Sequence, residues 1–136
     1  MVLVRSYSIR MRLEVADELG IIGNSTRLSE MSVNEWNNVI GVNLTGVFNC
    51  IRVQVRLVED GGSIVNIASV GGKIAWEGGG AYCTSKHGVI GLTKAAAREV
   101  AHRAVRVNAV CPYVQHVSTT SCSSLTNSTG RSLIPR

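Results

Sequence analysis

Aromatic side chains are scarce in this chain of 136 residues: two Trp, three Tyr and one Phe. They are scattered, and no Lys/Arg cluster on a single element interleaves with them. That excludes the usual footprint of a nucleic-acid binder. No apolar run approaches the roughly 18 residues that a membrane-spanning helix needs. The N-terminus lacks the apolar core of a secretory leader. The four cysteines (Cys50, Cys83, Cys111 and Cys122) form no C-x-x-C pair, and His87, His102 and His116 lack ligand spacing. Neither a zinc site nor a redox pair is expected. The thiols read as free in a reducing, cytoplasmic compartment. Arg5, Arg10 and Arg12, with no acid before Glu14, lend the first residues a faint mitochondrial-presequence character. Neither G-x-G-x-x-G nor a Walker A sequence occurs, so the chain has no recognisable glycine-rich cradle for phosphates.

What is present fits one domain at most. Hydrophobic residues make up 45% and charged residues 17%, a globular balance. The net charge of +5 comes from the two ends, whereas residues 14–99 carry more acids than bases. Ser32-Val33-Asn34-Glu35 reads as a capping box, with the Ser hydroxyl on the Glu35 amide and the Glu carboxylate reaching back. Val33, Trp36, Val39, Ile40, Leu44, Val47, Ile51, Val55 and Val58 follow at steps of three and four, which predicts one long helix over 32–58, ended by Gly61-Gly62. Ser63–Ser69 is short and β-branched, a buried strand. Residues 70–80 hold five glycines and read as a mobile loop. A second helix is expected over 81–103, where Ala81, Ser85, Gly88 and Ala95 permit close approach by a neighbour. Val105–Val110 is a second strand, stopped at Pro112. The Ser/Thr-rich residues 113–136 read as a disordered tail.

Helix, strand, helix, strand is an α/β layer, in which strands joined by a helix pair in parallel. Both helices look too apolar for one sheet face, so a partner subunit covering them is expected.

The chemistry-bearing signal is Tyr82-x-x-x-Lys86, two side chains one turn apart on one helix face. A free tyrosine holds its proton tightly near neutrality, and a nearby ammonium favours the phenolate. Ser69 ends the preceding strand, and ligands of open parallel sheets bind at the carboxyl ends of strands. Ser69 and Tyr82 should therefore face one crevice. Asn43 sits mid-helix on an otherwise apolar surface, where an Asn can bend the backbone or hold a water.

With these residues the chain resembles the short-chain dehydrogenase/reductase family from about residue 20 to 112. Asn43 in VNLTGVF, Ser69 in IVNIASVGG, Tyr82 and Lys86 in AYCTSKHGVIGLT, and the strand VRVNAVCP carry the resemblance. It implies an incomplete Rossmann-like parallel sheet whose first, nucleotide-binding half is missing. It implies an NAD- or NADP-dependent oxidoreductase interconverting a secondary alcohol and a ketone, with Tyr82 giving or taking the proton. Lys86 would favour the phenolate and bond the nicotinamide ribose, so Tyr82 and Lys86 are also the cofactor-binding residues. Ser69 would bond the substrate oxygen, and Asn43 would hold a water in a proton relay. The two long helices would pack in a homo-oligomer interface. Two positions depart from the family's habit. Asp17-Glu18-Leu19-Gly20 stands where Asn-Asn-Ala-Gly is usual, and Tyr113-Val114-Gln115 follows Pro112 in place of a Gly- and Thr-bearing loop. With no phosphate loop in the sequence, a second reading is a catalytically inactive remnant acting as an interaction subunit. The substrate is left open.

Overall fold

A computed structural model describes residues 20–113. The strand considered near residues 14–19 and the tail beyond Tyr113 lie outside the described residues.

Two parallel strands and the helix that joins them form the frame. Strand β1 (Ser63–Ile67) pairs with β2 (Arg106–Val110), with Ser63 opposite Arg106 and Ile67 opposite Val110. The pairing runs on past the strands, because the Ala68 amide donates to the Val110 carbonyl and the Val70 amide to that of Pro112. Helix α3 (Gly80–Glu99) makes the crossover, and a single 3-10 turn (Ala101–Arg103) leads it into β2. The arrangement is part of a Rossmann-like α/β fold.

The long first helix is interrupted. Helix α1 (Val33–Ile40) passes through a π-helical turn (Gly41–Thr45) into α2 (Gly46–Leu57). The uniform α-helix expected over 32–58 is corrected there. The apolar steps of three and four persist through the wider turn, so periodicity alone cannot show it. Its physical correlate is Asn43, which is wholly buried at the centre of the turn. The capping box is half formed. Ser32 Oγ accepts from the Glu35 amide at 3.1 Å. The Glu35 carboxylate does not reach back; it accepts from the Asn24 amide at 3.1 Å and the Thr26 hydroxyl at 3.3 Å. Glu35 therefore ties residues 24–26 to the helix start.

The core lies between the helices and the sheet. Val47, Ile51 and Val58 meet Ile64 and Ala68 of the β1 segment, Val89, Ala96 and Val100 at α3, and Val105 and Val107 at β2. Full burial of each Val or Ile contributes about 1.5–3 kcal/mol. Of the small residues expected at close contacts, Gly88 makes one: a Cβ there would stand 2.7 Å from Leu44 Cδ1. Ala81 and Ser85 are buried, but Ala95 is exposed and its neighbour Ala96 takes the inner position.

Arg103 closes the unit. Its Nη1 donates to the Val55 carbonyl at 2.7 Å, its Nη2 to the Val58 carbonyl and its Nε to Asp60 at 2.8 Å. One guanidinium so satisfies carbonyls at the end of α2 that have no partner within the helix.

Candidate active site

Ser69 follows the end of β1 in extended backbone, and its Oγ accepts from the Gly71 amide at 3.1 Å. That bond starts a 3-10 turn (Val70–Gly72). The loop over residues 70–80, expected to be mobile, is tied down by this turn and by packing against glycines. A Cβ on Gly72 would fall 2.7 Å from the Lys86 carbonyl of α3. A Cβ on Gly71 would fall 2.9 Å from Tyr82 Cε1 and 3.0 Å from Trp76 Cη2. Only a bare backbone lets the Ser69 turn approach the Tyr82 ring so closely.

Tyr82 lies in the first turn of α3 and is half-buried, while Lys86 lies one turn later and is 5% exposed. Lys86 Nζ is 5.9 Å from the centre of the Tyr82 ring and makes a long 3.5 Å bond to the Ile67 carbonyl. A buried ammonium requires such partners, because desolvation otherwise costs it several kcal/mol. The ammonium also lies beside Gly20, where a Cβ would be 3.1 Å from Nζ and 3.6 Å from Asn43 Oδ1.

Asn43 holds that glycine segment in place. Its Oδ1 accepts from the Ile21 amide and its Nδ2 donates to the Ile21 carbonyl, both at 2.8 Å. The same Nδ2 donates to Ser85 Oγ at 3.2 Å, and Ser85 Oγ donates to the Tyr82 carbonyl at 2.6 Å. A continuous chain of hydrogen bonds thus runs from Ile21 through the π turn to the backbone of Tyr82.

The structure brings all four sequence-derived residues to one end of the sheet. Lys86 and Asn43 gather around Gly20–Ile21, Tyr82 stands one turn before Lys86 on α3, and Ser69 meets Tyr82 across Gly71. Three further participants escape sequence reasoning. Ser85 lies three residues from Tyr82, a spacing that hints at contact with the helix backbone, but its complete burial is a tertiary property. Gly20 is marked in the sequence only as the last residue of the turn that departs from Asn-Asn-Ala-Gly, and nothing there shows its place beside Lys86. Trp76 is an isolated aromatic in a glycine-rich stretch, and its ring centre lies 5.9 Å from that of Tyr82 at a 43° tilt. Trp76 also lines a groove of about 570 Å³ with Leu28, Ala75, Cys83, Thr84 and His87. Across its mouth Arg27 pairs with Glu77 at 3.0 Å, both exposed, a pair that contributes little to stability.

The chain is similar to known proteins. The family model described as enoyl-(acyl carrier protein) reductase matches residues 15–131. The short-chain dehydrogenase/reductase ABA4 of Pyricularia oryzae is 52% identical over 98 residues, covering 72% of this chain and 36% of the relative. A 3beta-hydroxysteroid dehydrogenase of Mediterraneibacter gnavus is 42% identical over 103 residues, covering 74% and 37%. Among solved structures, carveol dehydrogenase from Mycobacterium avium in complex with NAD superposes with a TM-score of 0.68 at 39% identity, covering 73% of this chain and 37% of that one. The chain spans a little over a third of the length of these proteins.

Proposed function

The chain belongs to the short-chain dehydrogenase/reductase family, and on that premise we propose that it carries the proton-transfer site of an NAD(P)-dependent oxidoreductase that interconverts a secondary alcohol and a ketone. The observation that carries this reading is the Tyr82–Lys86 pair facing the Ser69 turn at the carboxyl end of the β1–β2 sheet. In ketone reduction the Tyr82 hydroxyl delivers its proton to the substrate oxygen, and in alcohol oxidation the phenolate takes it back. Lys86 sets a positive charge beside the phenol ring. Ser69 Oγ accepts from Gly71, which leaves its own proton to donate to the substrate oxygen as charge develops there. Asn43 and Ser85 hold the first turn of α3 against Ile21, so they act on the position of Tyr82.

The residues fit one end of a nicotinamide dinucleotide. Tyr82 and Lys86 would hold the nicotinamide ribose, and Gly20 sets no side chain beside the Lys86 ammonium. When bound, that group supplies or accepts the hydride. The phosphates have no glycine-rich strand–turn–helix in the sequence to receive them. A second reading is an inactive remnant that serves as an interaction subunit. Titrating NADH and NADPH fluorescence against the purified chain separates the two. Saturation at micromolar protein is the expected result. A folded circular dichroism spectrum with no binding at high protein concentration supports the remnant instead.

A homo-oligomer through the helices of 32–58 and 81–103 is part of the same proposal. Phe48, Val53 and Leu57 stand 43%, 49% and 67% exposed along α2. Beside them Leu44, Phe48, Gly88 and Leu92 line a groove of about 420 Å³ between the π turn, α2 and α3. Apolar surface of this kind marks an association site. Sedimentation equilibrium should return twice the chain mass or more. A monomer at all concentrations overturns the assignment of this face.

A further inference from the structure

We infer that Asp60–Gly61 is a site of spontaneous backbone isomerisation and that Arg103 is the brake on it. The inference is independent of the chemistry proposed for Tyr82.

The link between α2 and β1 is a tight turn. The Gly62 amide donates to the Glu59 carbonyl at 3.0 Å, and Gly61 takes φ +77°, a conformation that glycine adopts freely. An Asp-Gly pair is prone to a particular reaction. The Gly61 amide gives up its proton, and its nitrogen attacks Cγ of Asp60. The new N–Cγ bond closes a succinimide ring. A carboxyl oxygen leaves as water, taking that proton and the carboxyl's own. Water then opens the ring at either carbonyl. Opening at the backbone carbonyl leaves the chain running through the Asp60 side chain, an isoaspartate of unchanged mass. No oxidant, metal or enzyme is required.

Exposure favours this reaction. The Asp60 side chain is 76% exposed, so water reaches it. A Cβ at Gly61 would meet nothing within 4 Å, so that side of the turn is open. Against this, one residue holds both reactants. Arg103 Nε donates to Asp60 Oδ1 at 2.8 Å, and the Gly61 amide donates to the Arg103 carbonyl at 2.9 Å. The first bond restrains the carboxyl that must be attacked. The second holds the proton that must leave. A surface ion pair is ordinarily a weak anchor. Here the guanidinium is itself fixed by the Val55 and Val58 carbonyls and is only 26% exposed, so it is placed before Asp60 meets it. Isoaspartate at residue 60 would add a methylene to the backbone just ahead of β1. The Gly62 carbonyl accepts from the Arg106 amide at 3.0 Å there, so the lesion would pull on the first pair of the sheet.

The test ages the full chain in neutral buffer beside a synthetic peptide of residues 57–63, in which the same Asp-Gly has no arginine. Isoaspartate at residue 60 is counted by electron-transfer fragmentation after digestion. The native chain is expected to form it about tenfold more slowly than the peptide, or slower still, the factor that a hydrogen bond to a charged group withholds. In urea the chain should match the peptide. Arg103→Met keeps the length of the stem and removes the fork, so it should age faster than the parent while its circular dichroism spectrum stays folded. Equal rates for native chain and peptide overturn the inference. So does a folded Arg103→Met that ages no faster than the parent, or a peptide that forms no isoaspartate. Should Arg103→Met fail to fold, hydrogen exchange at the Gly61 amide of the parent decides. Slowing by about the same tenfold is expected, and an unprotected amide overturns the role of Arg103.

Discussion

Tyr82→Phe is expected to lower ketone reduction and alcohol oxidation by about a hundredfold to ten-thousandfold, the range that a positioned acid–base group contributes. The substitution removes one oxygen and keeps the ring. Ring packing against Gly71 and Trp76 is therefore retained, and so is the approach of Lys86 to the ring face. The circular dichroism spectrum and thermal midpoint should match the parent. Loss of turnover with an unchanged fold places the effect on proton transfer. Undiminished turnover would mean that another group moves the proton, and the proposed chemistry would have to be abandoned.

Asn43→Ala has the second large effect, and it falls on stability. The side chain satisfies the amide and the carbonyl of Ile21 and donates to the buried Ser85 hydroxyl. Truncation strands several polar groups, and each costs about 1–3 kcal/mol where water cannot replace the lost partner. A loss of about 3 kcal/mol is expected, read from the urea midpoint by circular dichroism. Small domains carry little reserve, so the variant should populate unfolded chain at moderate denaturant. A loss under about 1 kcal/mol would show that solvent reaches the π turn and that Asn43 does not hold the glycine segment.

The strands and helices were legible because their signals are local. Ser63–Ile67 and Arg106–Val110 are β-branched runs, and apolar steps mark Val33–Leu57. Tyr82, Lys86, Ser69 and Asn43 stand out as candidates because spacing and flanking sequence mark them. The π turn could not, since one wider turn leaves the apolar rhythm intact. Nor could the true partners of Glu35, because Asn24 and Thr26 reach it only through the folded path of residues 20–31. The reach of Arg103 to carbonyls more than forty residues upstream is likewise set by tertiary structure. Trp76 is the instructive case. Its residue type is plain in the sequence, but its packing against Gly71, Gly79 and the Tyr82 ring is a tertiary property that no linear pattern encodes.

The ladder that joins Ser63 to Arg106 also bears on how this protein reaches its native state. Parallel strands cannot zip from a hairpin, so the intervening segment must be gathered before the first rung can close. Ser69, Trp76, Tyr82 and Lys86 all belong to that segment. Gathering that segment is what brings the candidate site beside the sheet, at the slow pace that distant pairings impose.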